Sequence, residues 1–133
     1  MKRPVPAEDA PLVLLVCGGR NYNDESAAFA ALDKAAPSLV VNGQASGADS
    51  LATKWAKSRG VPVVEVPALW DAEGKGAGPG RNARMLNYAM CLASRLMADE
   101  MRIGVCAFPG GVGTAGMCKL ARAAKVRVWQ PGA

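Results

Sequence analysis

The chain contains no histidine, and aromatic residues make up only 5% of its 133 residues. Histidine is the commonest metal ligand and the usual general base near neutral pH, so other side chains would have to fill both roles. The four cysteines form no Cys-x-x-Cys pair, which argues against a zinc site. We therefore predict no metal and no resident cofactor.

Long apolar runs are also missing, so no segment of the sequence is expected to span a membrane. The apolar run "LVLLVC" (12–17) is too short for the core of a signal peptide, and Glu8 and Asp9 lie just before it. Reduced cysteines and this start predict a cytoplasmic protein. We expect residues 1–10 to be mobile and residues 11–133 to form a single domain.

Basic residues outnumber acidic ones by 16 to 11, giving a formal net charge of +5. This balance favours an anionic partner, either a nucleic acid or a phosphorylated small molecule. Basic residues form no clustered run, and few aromatics accompany them, so the sequence argues against nucleic acid.

Short apolar runs alternate with helical patterns along the whole chain. Strands are predicted at 12–17, 39–41, 61–66, 103–108 and 126–129, and helices at 24–36, 48–59, 81–101 and 113–125. A loop rich in glycine and proline (67–80) separates the third strand from the third helix. This alternation predicts an α/β, Rossmann-like fold, with a five-stranded parallel sheet and helices on both faces.

Glycine-rich segments follow the strands, at the sheet edge where ligands bind in such folds. The first strand is followed by Gly18, Gly19 and Arg20, the second by the segment 43–49, and the fourth by the segment 109–114. We expect these three segments to meet at one edge and to form a binding site.

The segment "PGGVGT" has the composition of a phosphate-binding loop. Its glycines allow positive φ and close approach to a ligand, and the following helix directs free N–H groups at an anion. The predicted contacts are Pro109, Gly110, Gly111, Gly113 and Thr114. The alternative is a tight turn between strand and helix with no ligand.

The segment "GQASGAD" contributes Gly43, Ser46, Gly47 and Asp49 to the predicted site. Asp49 is suited to bind ribose hydroxyls, or alternatively to cap the next helix. Arg20 and Arg81 carry guanidinium groups that fit phosphate oxygens. Lys75 and Arg84 are further cations on the same segments, and Trp70 either stacks on a base or fills its loop.

Four motifs in order, "CGGRNYND", "GQASGAD", "GKGAGPGRNARM" and "AFPGGVGTAGM", resemble the SLOG superfamily and its cpYpsA-like branch. The resemblance extends over residues 12–130. It implies a Rossmann-like fold that binds nucleotides or nucleotide-derived ligands, and it adds Asn82 of "RNARM" to the expected binding residues.

The same superfamily includes the "lonely guy" phosphoribohydrolases, whose catalytic pair is an arginine and a glutamate. The resemblance assigns that arginine to Arg81 and the nearby methionine to Met85, but Met117 stands where the glutamate belongs. A methionine cannot stabilise an oxocarbenium-like state or activate water. Asp49, with Arg81, is the candidate catalytic residue. Glu65, Asp71 and Glu73 are alternatives.

Three functions are therefore open: binding of an ADP-ribose-like or NAD-derived ligand, hydrolysis of nucleoside monophosphates, and single-stranded DNA binding as in the related DprA proteins. Met117 favours binding without hydrolysis. The apolar side chains of helix 81–101 exceed one helix face, which together with the resemblance predicts a homodimer through this helix.

Overall fold

The computed structural model describes residues 11–68, 77–96 and 102–132, without the side chains of 93–96. The expectation of a mobile segment at 1–10 lies outside the described residues. The strands are β1 (Leu12–Cys17), β2 (Leu39–Asn42), β3 (Val63–Glu65), β4 (Arg102–Ala107) and β5 (Arg127–Trp129). The helices are α1 (Glu25–Ala35), α2 (Ala48–Arg59), α3 (Ala77–Leu96) and α4 (Val112–Ala123).

The five strands form one parallel sheet in the order β3-β2-β1-β4-β5. β1 lies at the centre, and its Val13 is paired with Leu39 of β2 on one side and with Ile103 of β4 on the other. The strand order reverses between β1 and β4, because after β3, at one side of the sheet, the chain returns past β2 and β1 and adds β4 on the other side of β1. The predicted α/β, Rossmann-like architecture is confirmed.

Alternate residues of β1 point to opposite faces of the sheet, and both faces are buried. Leu14 and Val16 pack with Leu32 and Trp55 beneath α1 and α2. Val13, Leu15 and Cys17 pack on the other face against α3 and α4, including Met85, Leu86 and Met117. Two helices on each face therefore hold the sheet edges, and the loops that leave them, in fixed positions.

Two predicted helix ends are confirmed. Asp24 is the N-cap of α1, where its Oδ1 accepts a hydrogen bond of 3.1 Å from the amide of Ala27. Gly60 ends α2 in the left-handed conformation, with φ of 69°.

The third helix begins earlier than predicted, at Ala77 rather than at residue 81. The sequence predicts a loop for the segment "AGPG", because glycine and proline usually interrupt helices. Proline is tolerated in the first turn of a helix, where its missing N–H has no intrahelical acceptor in any case. Arg81 therefore lies one turn inside α3 and not at its start.

The side chains predicted to form a dimer face on helix 81–101 are divided between two environments. Met85 and Leu86 are only 2% and 6% exposed and belong to the core, so they are not available to a partner. Met90 is 39% exposed on the outer side of α3. Met97 and Met101 lie outside the described residues.

Candidate functional site

The loops after β1, β2 and β4 meet at the carboxyl edge of the sheet. The amide of Gly19 donates to Pro109 O over 2.9 Å, which joins the first loop to the loop after β4. The amide of Ala48 donates to Gly19 O over 3.2 Å, and Ser46 Oγ donates to the carbonyl of Arg20 over 3.2 Å. The structure therefore brings together the three segments that the sequence singled out.

Glycine is required where these loops meet mainly because their backbones lie too close together to leave room for a Cβ. A Cβ at Gly110 would lie 2.7 Å from the amide nitrogen of Gly19, and one at Gly18 would lie 2.9 Å from Cβ of Phe108. Gly47 alone among the predicted site glycines has positive φ, at 76°. The prediction that Gly110, Gly111 and Gly113 serve to reach positive φ is wrong, because none of them has positive φ. At Gly110 the close contact with the first loop sets the requirement instead.

The N-terminus of α4 is open to solvent. Gly111 is its N-cap, and no side chain caps the helix there. A Cβ at Gly111 or Gly113 would meet no atom within 4 Å, and the intervening Val112 is 92% exposed. Thr114 lies in the first turn, half-buried. The first amides of α4 are thus accessible, in the arrangement that binds anions at helix N-termini.

Arg81 and Asn82 link the loop after β2 to α4. Nη1 of Arg81 donates to Gly43 O over 2.7 Å, and its Nε donates to Asn82 Oδ1 over 3.0 Å. Asn82 Nδ2 in turn donates to Gly113 O over 3.2 Å. Within the described residues, Nη2 of Arg81 has no acceptor, so one edge of the guanidinium is available for an anionic ligand.

Asp49 lies under the loop after β2 and is only 6% exposed. Its Oδ2 accepts hydrogen bonds from the amides of Gly43 and Ala45, over 3.0 and 3.1 Å. Burial raises the pKa of Asp49 to about 6, although these two amides and the nearby Arg81 favour the charged form.

The expectation that Asp49 caps helix α2 is wrong. Gly47 is the N-cap of α2, and no side chain caps that helix. Asp49 instead holds the preceding loop. A contact with ribose stays a prediction.

A cleft of about 350 Å³ opens beside this junction. Its lining consists of Arg20, Arg81, the segment 43–46, Pro67 and Ala68. Residues 109–114 are not part of its wall. The candidate site therefore has two adjoining parts, the open end of α4 and the cleft that contains both arginines.

Sequence reasoning missed Gln44, which lies in the cleft wall. Gln44 adopts the left-handed conformation with φ of 59°, and its amide donates to Asn42 Oδ1 over 2.9 Å. The signal that could have indicated this turn is the Asn-Gly dipeptide directly after a strand. Arg84, another predicted cation, is bound to the carbonyl of Pro67 through Nη2, over 3.3 Å.

Met117, at the position of the phosphoribohydrolase glutamate, is fully buried in the core between the sheet and the two helices α3 and α4. Its side chain is therefore withdrawn from the site. Of the alternative carboxylates, Glu65 is exposed at the end of β3. Asp71 and Glu73 lie outside the described residues, as do Trp70 and Lys75.

No group of three or more potential metal ligands occurs in the described ranges. Over the same ranges, no helix is both long enough and apolar enough to cross a membrane.

The model of the YspA, cpYpsA-related SLOG family matches residues 12–72 of this chain. This match covers β1 to β3 and the first two loops of the site, and it confirms the resemblance to the SLOG superfamily over that part. No curated protein sequence matches the chain.

Two solved structures resemble the chain in fold. DNA processing protein A (DprA) from Streptococcus pneumoniae is 18% identical with a TM-score of 0.47, and MurG from Acinetobacter baumannii is 16% identical with a TM-score of 0.49. Each match covers 90% of this chain, which spans only 58% of that DprA chain and 34% of that MurG chain.

Proposed function

We propose that this chain, whose residues 12–72 match the YspA, cpYpsA-related SLOG family, binds a nucleotide-derived ligand at the carboxyl edge of its sheet. The observation that carries the proposal is the convergence of three loops on the open N-terminus of α4, beside a cleft that contains Arg20 and Arg81. The ligand class is a phosphorylated nucleoside of the ADP-ribose or NAD type.

In this proposal a phosphate accepts hydrogen bonds from the first amides of α4, between Gly111 and Thr114. The helix dipole favours negative charge at that position, and the absence of a Cβ at Gly111 and Gly113 leaves the amides accessible. Arg81 contributes its unoccupied Nη2, and Arg20 supplies a second positive charge in the lining of the same cleft.

The nucleoside part would occupy the cleft. Among its lining residues, Gln44 and Ser46 offer polar groups, and Pro67 and Ala68 offer apolar surface. A cleft of about 350 Å³ falls within the usual range for small-molecule sites, roughly 300–1,000 Å³.

Calorimetric titration of the protein with nucleoside monophosphates, NAD and ADP-ribose tests the proposal. Arg81→Ala should weaken binding by about 1.5–3 kcal/mol, or roughly 10- to 150-fold, because charged hydrogen bonds to phosphate are lost. Arg127→Ala is the matched control, since it removes an exposed guanidinium at the amino end of β5, far from this edge. Equal affinity of Arg81→Ala and wild type would contradict the proposal.

We further propose that the ligand is bound and released without efficient cleavage. The buried Met117 supplies no carboxylate, and Oδ2 of Asp49 is engaged by two backbone amides. Loss of one transition-state partner commonly lowers a rate about 10²–10⁴-fold.

Chromatography of the free base after incubation with the same compounds tests this point. Robust turnover would contradict binding alone and would favour the phosphoribohydrolase alternative. Single substitutions of Asp49, Glu65, Asp71 and Glu73 would then identify the carboxylate.

A homodimer through α3 and a cytoplasmic location remain part of the proposal. Tyr88 and Met90, 42% and 39% exposed on α3, support the first, and four free cysteines support the second. Light scattering at micromolar concentration should give twice the mass of one chain. A monomer mass would contradict the dimer.

A further inference from the structure

The excess of positive over negative charge in this protein is concentrated in one segment. Residues 102–132 contain five basic residues and no acidic residue, so they account for the whole net charge of +5. The 11 basic residues elsewhere are balanced by all 11 acidic residues. No basic run is visible in the sequence, because the last four of these five cations are spaced two or three residues apart and Arg102 is distant from them.

The fold places four of these cations on one exposed surface, here called the basic face: Lys119, Arg122, Lys125 and Arg127. The first two are three residues apart on the outer side of α4, which brings them to the same helix face. Lys125 lies in the turn after α4, and Arg127 begins β5. Because α4 runs antiparallel to the strands, this face extends to the amino edge of the sheet, opposite the candidate ligand site.

The basic face is not neutralised within the described residues. The described ion pairs, Lys54 with Glu25 and Arg59 with Asp33, both lie on the α1–α2 side of the sheet. On the basic face, Nη2 of Arg122 donates to the neutral Oε1 of Gln130 over 3.2 Å. Like charges left without counter-charges attract anions from solution.

The backbone of Lys125, within the basic face, has an unusual conformation. It adopts the left-handed conformation with φ of 61°, directly after the C-cap of α4. Glycine is the usual residue there, because a side chain is strained in this conformation. The chain therefore carries a lysine at a position where the backbone favours glycine.

We propose that the basic face binds the phosphodiester backbone of a nucleic acid, without dependence on base sequence. Lysine is depleted at the centre of protein–protein interfaces, which need apolar anchors. The large apolar side chain beside these cations is Leu120, only 37% exposed, whereas Ala115, Gly116 and Ala123 leave the helix surface open to an extended polyanion. Contacts to phosphates alone give affinity without base specificity.

This binding is separate from the proposed nucleotide site. It requires neither Arg81 nor the N-terminus of α4. The scarcity of aromatic residues does not argue against this kind of binding, because contacts to the phosphodiester backbone need no aromatic side chains for base stacking.

Fluorescence anisotropy with a labelled 20-nucleotide oligothymidylate tests the proposal on the full chain. Four phosphate contacts predict a slope of about −2.8 for log affinity against log salt concentration, or an affinity loss of about 50-fold between 50 and 200 mM salt. A labelled polyglutamate of the same length and vesicles containing anionic lipid should bind more weakly at 50 mM salt. Stronger binding of either would overturn the assignment to nucleic acid.

The double variant Lys119→Ala/Lys125→Gly should reduce the slope to about −1.4, so that the same change of salt weakens binding only about 7-fold. Lys125→Gly also relieves the left-handed strain, so its melting temperature should not fall and lost binding cannot be attributed to unfolding. Lys34→Ala/Lys57→Ala is the matched control, because it removes two exposed lysines from α1 and α2 on the other side of the sheet.

The control should retain the wild-type slope, and affinity for the nucleotide that binds best should be unchanged in both double variants. Absence of binding by wild type at 50 mM salt, or an equal loss in the two double variants, would overturn the proposal.

Discussion

The buried carboxylate of Asp49 makes a prediction about stability and pH. Its pKa is raised to about 6 from an ordinary value of 3.8, mainly because burial disfavours the charged form. Asp49→Asn is the appropriate perturbation, because the amide oxygen of asparagine can still accept hydrogen bonds from Gly43 and Ala45 while the charge is removed.

The sign of the change in stability with pH depends on whether the native protein or the unfolded chain binds more protons. Between about pH 4 and pH 6 the native protein keeps the Asp49 proton more tightly than the unfolded chain, so the free energy of unfolding falls as the pH rises. A shift from 3.8 to about 6 corresponds to about 3 kcal/mol at 1.36 kcal/mol per pKa unit. Part of this shift is already expressed at pH 4, where the unfolded carboxyl is about half ionised, so between pH 4 and pH 7 Asp49→Asn should gain about 2 kcal/mol over wild type.

Urea unfolding at pH 4, 5, 6 and 7, followed by tryptophan fluorescence, measures the difference between the two proteins. Asp33 acts with the opposite sign. Hydrogen bonds from Arg59 and Trp55 lower its pKa to about 2, so its contribution is lost as the pH falls below about 4. Asp33 is present in both proteins and largely cancels in the difference. A difference that stays constant from pH 4 to pH 7 would refute the raised pKa.

Three further predictions concern the site and the core. Gly111→Val should abolish nucleotide binding with little loss of stability, because the valine side chain would enter the open space before α4. Gly110→Val should lower the melting temperature, because the new Cβ would collide with the amide of Gly19. Calorimetry and thermal melting separate these two outcomes. Met117→Glu should lower the free energy of unfolding by about 3 kcal/mol or more without producing base release, because the new carboxylate would be buried and unpaired. Cys91 is the exposed cysteine, so one thiol should react rapidly with Ellman's reagent in the native protein and all four in denaturant.

Most of the fold can be predicted from the hydrophobic periodicity of the strands and helices. β1 and α2 have the predicted bounds, 12–17 and 48–59, because a doubly buried strand and an amphipathic helix that ends at Gly60 have distinct local patterns. The start of α3 was missed because proline in a first turn has the same local signature as a loop. Only packing, with Ala77 fully buried, distinguishes the two.

The site could be located from sequence but not resolved into its parts. Glycines after successive strands indicated the edge of the sheet, since carboxyl ends of parallel strands meet there. Which glycine is needed for which contact depends on loops far apart in sequence, as the approach of Gly110 to Gly19 illustrates. The role of Asp49 beneath the loop depends on burial, and the basic face depends on a helix end and a strand start lying side by side.

The most direct test of the central claim is a titration of ¹⁵N-labelled protein with the nucleotide that binds best in calorimetry, followed by amide chemical shifts. The proposed site predicts the largest shifts at Gly111, Gly113 and Thr114, together with the side-chain Nε of Arg81. The amides of Lys125 and Arg127, at the other end of the sheet, should not move. Saturable shifts confined to that far end, or none at the start of α4, would contradict the account.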